Sequence, residues 1–264
     1  MPVRFAVIGA GPLGTAAAYD LARYGDADEV RILDSVIGRA QQAADRINRL
    51  VRRKVAKAGV VNAAESTGAS QVLEGLDGVV AAGPSHLHPA VAEAAIRARV
   101  HYVDLGGAAP EVLDLHERAK AAQISVVPDC GAAPGLANLF VAHGMGRMDA
   151  PHAVRVRSGD LPETPDLPLG YQPHFTVEAL ARRYFGRVEQ IKDGEKVKVP
   201  VFSDLESINV APLGRLEAFA TGGGCDTCSQ TYASRLTHFD FKTLRYPGHH
   251  QALSLLTQLG FLSR

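Results

Sequence analysis

The sequence of 264 residues contains no tryptophan, only three cysteines and no excess of charge of either sign. Three cysteines cannot form a disulfide framework and are typical of a reduced, cytoplasmic protein. The 28 basic and 28 acidic residues cancel, so no overall field favours nucleic acid or a membrane surface. No apolar run approaches the length of a bilayer span, and the N-terminal residues lack the pattern of a signal peptide. We therefore expect a cytoplasmic protein that binds neither nucleic acid nor membranes.

The first 34 residues carry the most informative pattern. Residues 3–8 predict a short buried strand, and residues 15–24 predict a helix with one small, apolar face. Between them lies a G-x-G-x-x-G turn, and a second apolar run ends at Asp34, twenty residues after Gly14. This is the dinucleotide-binding pattern in its required context of strand, turn and helix.

Each part of this pattern has a predicted role. Gly9 permits a tight bend, Gly11 lets the backbone approach a pyrophosphate, and Gly14 lets the helix pack against the strand. Asp34 would accept hydrogen bonds from the adenosine ribose and repel a 2′-phosphate, which favours NAD over NADP. Arg39 and the basic helix beyond it leave NADP as the alternative. The cofactor-binding residues predicted here are Gly9, Gly11, Pro12, Leu13, Gly14 and Asp34.

Strand and helix patterns alternate six times in the first part of the chain, with a long helix over residues 35–57 and a weak third strand at residues 60–61. This alternation predicts an α/β fold, a Rossmann-type doubly wound parallel sheet. Later, residues 152–157 and 239–245 alternate with period two, as half-buried strands do. We expect a dinucleotide-binding domain over residues 1–146. A second α+β, largely antiparallel domain for substrate binding and oligomerisation should cover residues 147–246, and a helical segment should cover residues 247–264.

Glycine- and proline-rich loops follow the predicted fourth, fifth and sixth strands. Ligands bind outside the carboxyl ends of parallel strands, so these loops should face the nicotinamide half of the cofactor. The residues predicted to do so are Ala82, Gly83, Pro84, His86, Gly106 and Gly107. Asn138 is a further candidate, whose amide would bond the cofactor or cap a helix.

Four motifs resemble the lysine 6-dehydrogenase branch of the saccharopine dehydrogenase-like family. They occur in the family's order and are YVDLGG, PDCGAAPGLAN, LEAFATGGG and KTLRYPGH, beginning at residues 102, 128, 216 and 242. The last is specific to this branch. The resemblance implies an NAD-dependent oxidoreductase of lysine catabolism that acts on the CH–NH2 group of an amino acid. Its reaction would be oxidative deamination of the ε-amine of L-lysine to 2-aminoadipate 6-semialdehyde.

The resemblance also leaves alternatives open. A saccharopine reductase or carboxynorspermidine dehydrogenase relative is one alternative, and a shortened, non-catalytic NAD-binding protein is another. The C-terminal part of the family is expected to be missing. Its loss would expose apolar side chains and favour a homo-oligomer; these side chains are Leu253, Leu256, Leu259 and Phe261. Cys225 and Cys228 form one C-x-x-C without further ligands, so we expect loop packing and no metal.

Oxidation of an amine requires a neutral amine, although free lysine is protonated near pH 7. The acids and imidazoles of the converging loops are therefore the candidates for proton transfer. Asp129 is the first choice and Asp104 the second, with loop capping as the alternative for both. His174 follows a proline-rich loop and is a further candidate. Arg245 offers a planar fork to the substrate's carboxylate, with a surface ion pair as its alternative role.

Overall fold

The computed structural model describes residues 2–107, 109–166, 168–172 and 177–261. The chain divides into two compact units, Met1–Gly131 and Ala132–Arg264. Each unit contains its own β-sheet. Among the described residues, no helix combines the length and the apolar character needed to cross a membrane.

The first unit contains a parallel sheet of six strands. These are β1 (Arg4–Ile8), β2 (Glu29–Asp34), β3 (Ala56–Val60), β4 (Gly78–Ala81), β5 (His101–Asp104) and β6 (Val126–Val127). Their order is β3-β2-β1-β4-β5-β6, and every neighbouring pair is parallel. The strand order reverses between β1 and β4, and ligands bind at such a switch point. The predicted doubly wound sheet is confirmed.

Helices cover both faces of this sheet. They are α1 (Pro12–Tyr24), α2 (Ile37–Val51), α3 (Ser66–Leu73), α4 (His88–Ala98), α5 (Ala109–Leu113) and α6 (His116–Ala122). Successive residues of β1 belong to different apolar clusters: Ile8 packs with α3 and α4, and Val7 packs with α1 and α2. Burial on both faces explains why this strand reads as a continuous apolar run.

The second helix is shorter than the sequence predicted. Arg52 adopts a left-handed conformation with φ of 57°, which ends the helix after Val51. The side-chain oxygen of Asn48 then accepts hydrogen bonds from the backbone N–H groups of Val55 and Ala56, at 2.9 and 2.8 Å. These bonds turn the chain into β3. The predicted helix over residues 35–57 and the predicted strand at residues 60–61 were therefore wrong in their bounds.

The second unit contains a mostly antiparallel sheet. Its strands are β7 (Ala153–Ser158), β8 (Arg187–Lys192), β9 (Glu195–Pro200), β10 (Glu206–Val210), β11 (Gly214–Ala220) and β12 (His238–Arg245). The order is β10-β11-β12-β8-β9, and β7 pairs with β12 in the one parallel pairing of this sheet's described strands. The two segments with period-two alternation therefore lie outside the first sheet, as predicted. Their parallel pairing with each other was not predicted.

The helices of the second unit are α7 (Leu136–Arg147), α8 (Val177–Arg183), α9 (Asp226–Thr231) and α10 (His249–Gln258). An apolar cluster joins α7 to the sheet through Val141, Met145 and Phe239. Because of this packing α7 belongs to the second unit, although the sequence analysis assigned it to the first domain. Cys225 and Cys228 are buried in the same cluster.

The C-terminal helix α10 is partly buried. Leu253, predicted to be exposed, packs with Tyr184 and Phe219 in an apolar cluster. Leu259 and Phe261 are exposed, at 62% and 75% of their surface. The homo-oligomer therefore stays a prediction. The exposed apolar surface that supports it is smaller than the sequence suggested, because Leu253 is buried.

Candidate functional site

The glycine-rich turn after β1 is closely packed on one side and open on the other. A Cβ atom at Gly14 would lie 1.8 Å from the carbonyl oxygen of Gly9. Gly9 itself has φ of +110°, and a Cβ atom there would lie 2.8 Å from the backbone of Ala82. By contrast, a Cβ atom at Gly11 would meet no atom within 4 Å. The turn therefore leaves a space in front of Gly11 that only a glycine keeps fully open.

The start of α1 faces this space. Gly11 is the N-cap residue, Pro12 follows it, and no side chain caps the helix. The first turn contains no acidic residue. The N–H groups and the positive end of the helix dipole are therefore available to an anion. This arrangement fits the pyrophosphate of a dinucleotide.

Asp34 lies at the carboxyl end of β2, against the same turn. Its Oδ2 accepts a hydrogen bond from the backbone N–H of Ala10, and its Oδ1 accepts one from Val36, both at 2.9 Å. These two bonds hold the carboxylate beside the turn, where the ribose of a dinucleotide binds in this fold. The geometry fits the predicted role of Asp34.

The loops after β4 and β5 meet at the same edge of the sheet. A Cβ atom at Gly107, which has φ of +98°, would lie 2.9 Å from the Cβ of Ser85 in the loop after β4. Gly83 lies against Gly9 of the turn, and His86 is exposed. The structure therefore brings these predicted cofactor-binding residues together; they are Ala82, Gly83, Pro84, His86, Gly106 and Gly107.

Asp104 joins the loops after β5 and β6. Its side chain is 0% exposed. Oδ1 accepts hydrogen bonds from the backbone N–H groups of Gly106 and Asp129, at 2.7 and 3.0 Å. Oδ2 accepts a hydrogen bond from the hydroxyl of Tyr102 at 3.0 Å. Burial and the neighbouring Asp104 carboxylate raise the pKa of Tyr102, which keeps this phenol protonated as the donor.

His88 extends this network, and sequence reasoning missed it. Its ring is 2% exposed, and its Nε2 lies 3.1 Å from the carbonyl oxygen of Gly83. Burial lowers the pKa of His88, so the ring is neutral and donates the Nε2 hydrogen to that carbonyl. Its Nδ1 lies 3.7 Å from Oδ1 of Asp104. Nδ1 has no hydrogen bond within the described residues, but the carbonyl oxygen of His88 accepts from the Tyr102 hydroxyl at 3.3 Å. Through this backbone contact His88 connects the loop after β4 to the Asp104 network.

Asp129, the first-choice proton acceptor, lies at this edge of the sheet. It is 7% exposed and has φ of 63°. Its backbone N–H donates to Asp104, which fixes its position. The next residue, Cys130, is anchored in the same way, because its N–H donates to the carbonyl of Asp104 at 2.7 Å. Cys130 is exposed, but partial desolvation and the neighbouring carboxylates of Asp104 and Asp129 raise the pKa of its thiol, which stays protonated at neutral pH.

Two further predicted site residues lie in the second unit. Oδ1 of Asn138 accepts a hydrogen bond from the N–H of Gly135 at 3.1 Å, and Nδ2 donates to the hydroxyl of Thr227 at 2.8 Å. These contacts match the helix-capping alternative for Asn138. His174 lies outside the described residues.

Arg245 is held in a buried network in the second unit. Its side chain is 1% exposed, and Nη1 donates to Oδ1 of Asp160 at 2.9 Å. The guanidinium carbon lies 4.7 Å from the ring centroid of Tyr171, and Nε lies 3.4 Å from the hydroxyl of Tyr184. These contacts account for Arg245 without a ligand, so its binding of a substrate carboxylate stays a prediction.

His249 completes the network around Arg245. Its Nε2 lies 2.8 Å from the Tyr184 hydroxyl, and its Nδ1 lies 3.1 Å from the carbonyl of Leu169. Burial lowers the pKa of His249 to about 4. The neutral ring therefore donates from Nδ1 to Leu169 and accepts from Tyr184 at Nε2. No periodic pattern in the sequence connects these distant positions, which explains why they were not predicted together.

The lowered pKa of His249 predicts a pH dependence of stability. Below a pH near 6.5 the unfolded chain binds a proton at His249 that the folded protein resists until about pH 4. The free energy of unfolding should therefore fall between these pH values, by up to about 3 kcal/mol from this residue. Denaturant unfolding from pH 7 to pH 4 measures the effect. His249→Gln should flatten the dependence of the free energy of unfolding on pH. His143→Gln, at an exposed position, should leave this dependence unchanged. The same pH dependence in both variants would contradict the assignment of the effect to His249.

Comparison with known proteins identifies both units. A family model described as the saccharopine dehydrogenase NADP binding domain matches residues 5–127. A second, described as the saccharopine dehydrogenase C-terminal domain, matches residues 131–264. The expectation that the C-terminal part of the family is missing was therefore wrong, because a domain of that description is present.

Individual curated relatives are only distantly similar to this chain in sequence. The saccharopine dehydrogenase (NADP(+), L-glutamate-forming) of Pyricularia oryzae is 24% identical over 196 residues, which cover 71% of this chain and 44% of that protein. The mitochondrial alpha-aminoadipic semialdehyde synthase of Mus musculus is 24% identical over 204 residues, 73% of this chain and 22% of the other. This chain thus spans less than half the length of these curated relatives.

A solved structure shows the same fold. Apo saccharopine dehydrogenase (L-Glu forming) from Saccharomyces cerevisiae superposes with a TM-score of 0.79 at 20% sequence identity. The alignment covers 99% of this chain and 59% of that chain. The fold of both units is therefore that of a known dehydrogenase.

Proposed function

The chain belongs to the saccharopine dehydrogenase family, and from this premise we propose that it is a nicotinamide-dependent oxidoreductase that acts on a carbon–nitrogen bond of an amino acid. The open, uncapped start of α1 in front of Gly11 carries the proposal, because it presents N–H groups to an anion and is bordered by Asp34. A dinucleotide held there by its pyrophosphate would supply a nicotinamide ring as the hydride acceptor for the substrate carbon.

Two substrates are candidates, each supported by its own observation. L-lysine is the first, because the motif at residues 242–249 resembles the lysine 6-dehydrogenase branch. Its oxidation would consume water, release ammonia and form 2-aminoadipate 6-semialdehyde. Saccharopine is the second, because the fungal relative is a saccharopine dehydrogenase that forms L-glutamate.

In this proposal the loops at the edge of the first sheet handle the proton. The substrate must lose a proton from its ammonium or secondary ammonium group before a hydride can leave the adjacent carbon. Asp129 is the proposed acceptor, because it lies in the loop after β6 and its backbone is fixed by Asp104. Asp104 is a positioning residue, since its carboxylate oxygens already accept three hydrogen bonds. The rate should rise toward alkaline pH, because the unperturbed pKa of a lysine ammonium is about 10.4.

A spectrophotometric assay tests the proposal. The purified protein is given NAD or NADP with L-lysine or saccharopine, and absorbance of the reduced nicotinamide is followed from neutral to alkaline pH. Release of ammonia identifies lysine as the substrate, and release of L-glutamate identifies saccharopine. A folded protein that binds a dinucleotide but reduces it with neither substrate would support the non-catalytic alternative instead.

The cofactor is proposed to be NAD, although the matching family model is described as NADP binding. The carboxylate of Asp34, held beside the turn, would lie close to a 2′-phosphate and repel it. Arg39, exposed in the first turn of α2, is the residue that would favour NADP.

Asp34→Ala is expected to reduce the preference for NADH over NADPH by about tenfold or more, since one charge repulsion and one hydrogen bond to the ribose are lost together. Fluorescence titration of both reduced cofactors measures the ratio of dissociation constants. Arg39→Ala is the matched control, and it should weaken the binding of NADPH more than the binding of NADH. Tighter binding of NADPH than NADH by the unaltered protein would contradict the NAD assignment.

A further inference from the structure

One face of the second sheet contains a charged cavity of about 340 Å3. Alternation along β12 directs Phe239 and Phe241 to the apolar cluster, whereas His238, Asp240 and Lys242 line the cavity. β7 and β8 contribute their own polar side chains. None of these residues belongs to the dinucleotide edge or to the network around Arg245.

The floor of this cavity contains buried polar atoms that lack partners. Gln190 is 1% exposed, and neither its Nε2 nor its Oε1 has a hydrogen bond within the described part of the chain. Asp240 is 4% exposed; its Oδ2 accepts from Arg157 at 2.9 Å, but its Oδ1 has no hydrogen bond. Nε2 of His238 lies 3.4 Å from that Oδ1 and is likewise without a hydrogen bond. Buried polar groups are nearly always bonded to protein or to ordered water, so these atoms make the floor of the cavity suited to a polar ligand.

The cavity's charges are paired except at one position. Arg157 pairs with Glu206 and Asp240, and Lys242 lies 3.4 Å from Glu206. Lys192 pairs with Asp204 at 3.1 Å. Arg155 has no ion pair among the residues that the structure describes. The cavity therefore offers one cation that a carboxylate can neutralise.

Strand register places the unsatisfied groups in a row. Arg155 on β7 is the register partner of Asp240 on β12. Ile191 on β8 is the register partner of Phe239, so Gln190 lies beside Asp240 on the other side. Neighbouring strands are about 5 Å apart. A cation, a carboxylate oxygen and an amide therefore follow one another across the face of the sheet.

We propose that this cavity binds the zwitterionic end of a small free amino acid. The α-carboxylate accepts hydrogen bonds from Arg155 and from Nε2 of Gln190. The α-ammonium donates to Oδ1 of Asp240 and to Oε1 of Gln190. Such a ligand forms a hydrogen bond with each unpartnered side-chain atom of Gln190 and Asp240, the two buried residues. A simple anion leaves the Asp240 oxygen without a donor, and a simple cation leaves Arg155 and the Gln190 N–H groups without an acceptor. The site does not rest on the proposed function, since it needs no cofactor.

Calorimetric titration of the full chain without cofactor tests the proposal. The probes are L-glutamate and L-lysine, each with its Nα-acetyl derivative and its α-decarboxylated amine. At least one free amino acid should bind, and its two derivatives should bind at least about tenfold more weakly, because each lacks one charged partner of the site. Failure of both amino acids to bind, or equal binding of the derivatives, would overturn the proposal.

Gln190→Met is the decisive variant. It should weaken amino-acid binding at least about tenfold, because the hydrogen bonds to both charged groups are lost. It should also raise the melting temperature by roughly 2–4 °C, because a nearly isosteric apolar side chain replaces a buried, unsatisfied amide. A merely structural residue would not lose binding while gaining stability. Unchanged binding in this variant would contradict the assignment.

Two further variants complete the experiment. Arg155→Gln should weaken binding with little change in melting temperature, because Arg155 is exposed. Lys198→Gln should change neither; Lys198 is exposed on β9 and pairs in register with Glu189, so it points away from the Gln190 face. Analytical ultracentrifugation of the same variants tests whether this face binds a second copy of the chain. If Gln190→Met changes the oligomeric state but does not change amino-acid binding, the face is an interface between copies and the ligand proposal is overturned. Dinucleotide binding should be equal in all variants, so failure here is distinct from failure of the proposed function.

Discussion

Replacement of Asp104 by alanine is expected to lower the free energy of unfolding by about 3–5 kcal/mol. It leaves three donors without an acceptor, two of them in buried hydrogen bonds, and each buried donor costs about 1–3 kcal/mol. The donors are the N–H groups of Gly106 and Asp129 and the hydroxyl of Tyr102. Water is excluded from the site, because Asp104 is 0% exposed. A loss of this size is a large part of the roughly 5–15 kcal/mol that stabilises a typical protein. Denaturant unfolding measures it.

Asp114→Ala is the matched control for this experiment, because Asp114 is an exposed aspartate of the same unit. It should change the free energy of unfolding by less than about 0.5 kcal/mol. Equal stability of the two variants would show that the Asp104 network does not hold the loops.

Asp104→Asn separates a positioning role from a catalytic one. The amide oxygen of asparagine can still accept from Gly106 and Asp129, so most of the stability should remain. Turnover should then fall little if Asp104 only positions the loops. A large loss of turnover at nearly unchanged stability would instead make Asp104 the proton acceptor. Asp129→Asn is the complementary variant and should lower turnover more than stability.

The first unit was predictable because its pattern is local. The turn at Gly9–Gly14, the following helix and Asp34 lie within 34 residues. Close contacts in the structure require the glycines at Gly9 and Gly14, and Gly11 keeps the space in front of α1 open. The errors occurred where a single backbone conformation decides the outcome. The left-handed conformation of Arg52 ends α2, and no periodicity of apolar residues signals it.

The second unit was predictable only as a type of structure. Alternation at residues 152–157 and 239–245 indicated strands, but their parallel pairing with each other depends on long-range contacts. Arg245 and Asp160 are 85 residues apart in the sequence and form an ion pair. The unsatisfied amide of Gln190 is visible only once its neighbours are placed. Charge and polarity in a sequence do not tell which side chains will meet.

Gly11→Val should abolish dinucleotide binding while the protein stays folded. The backbone of Gly11 has φ of −71° and ψ of −178°, which any residue adopts. A Cβ atom there meets nothing within 4 Å, so the branched side chain extends only into the open space in front of α1. The free energy of unfolding should change by about 1 kcal/mol or less, the scale of an N-cap substitution. A pyrophosphate in that space would collide with the valine and lose the N–H groups of the helix.

Titration of NADH and NADPH into the unaltered protein and into Gly11→Val, followed by nicotinamide fluorescence, is the most direct test of the dinucleotide site. Gly146→Val, at an exposed glycine of α7 with the same free space, is the control. We predict that the unaltered protein and Gly146→Val bind a reduced cofactor with equal affinity. Gly11→Val should bind at least about 100-fold more weakly, a loss of roughly 2.7 kcal/mol or more. Unchanged cofactor binding in a folded Gly11→Val protein, or no binding of either cofactor by the unaltered protein, would contradict the account.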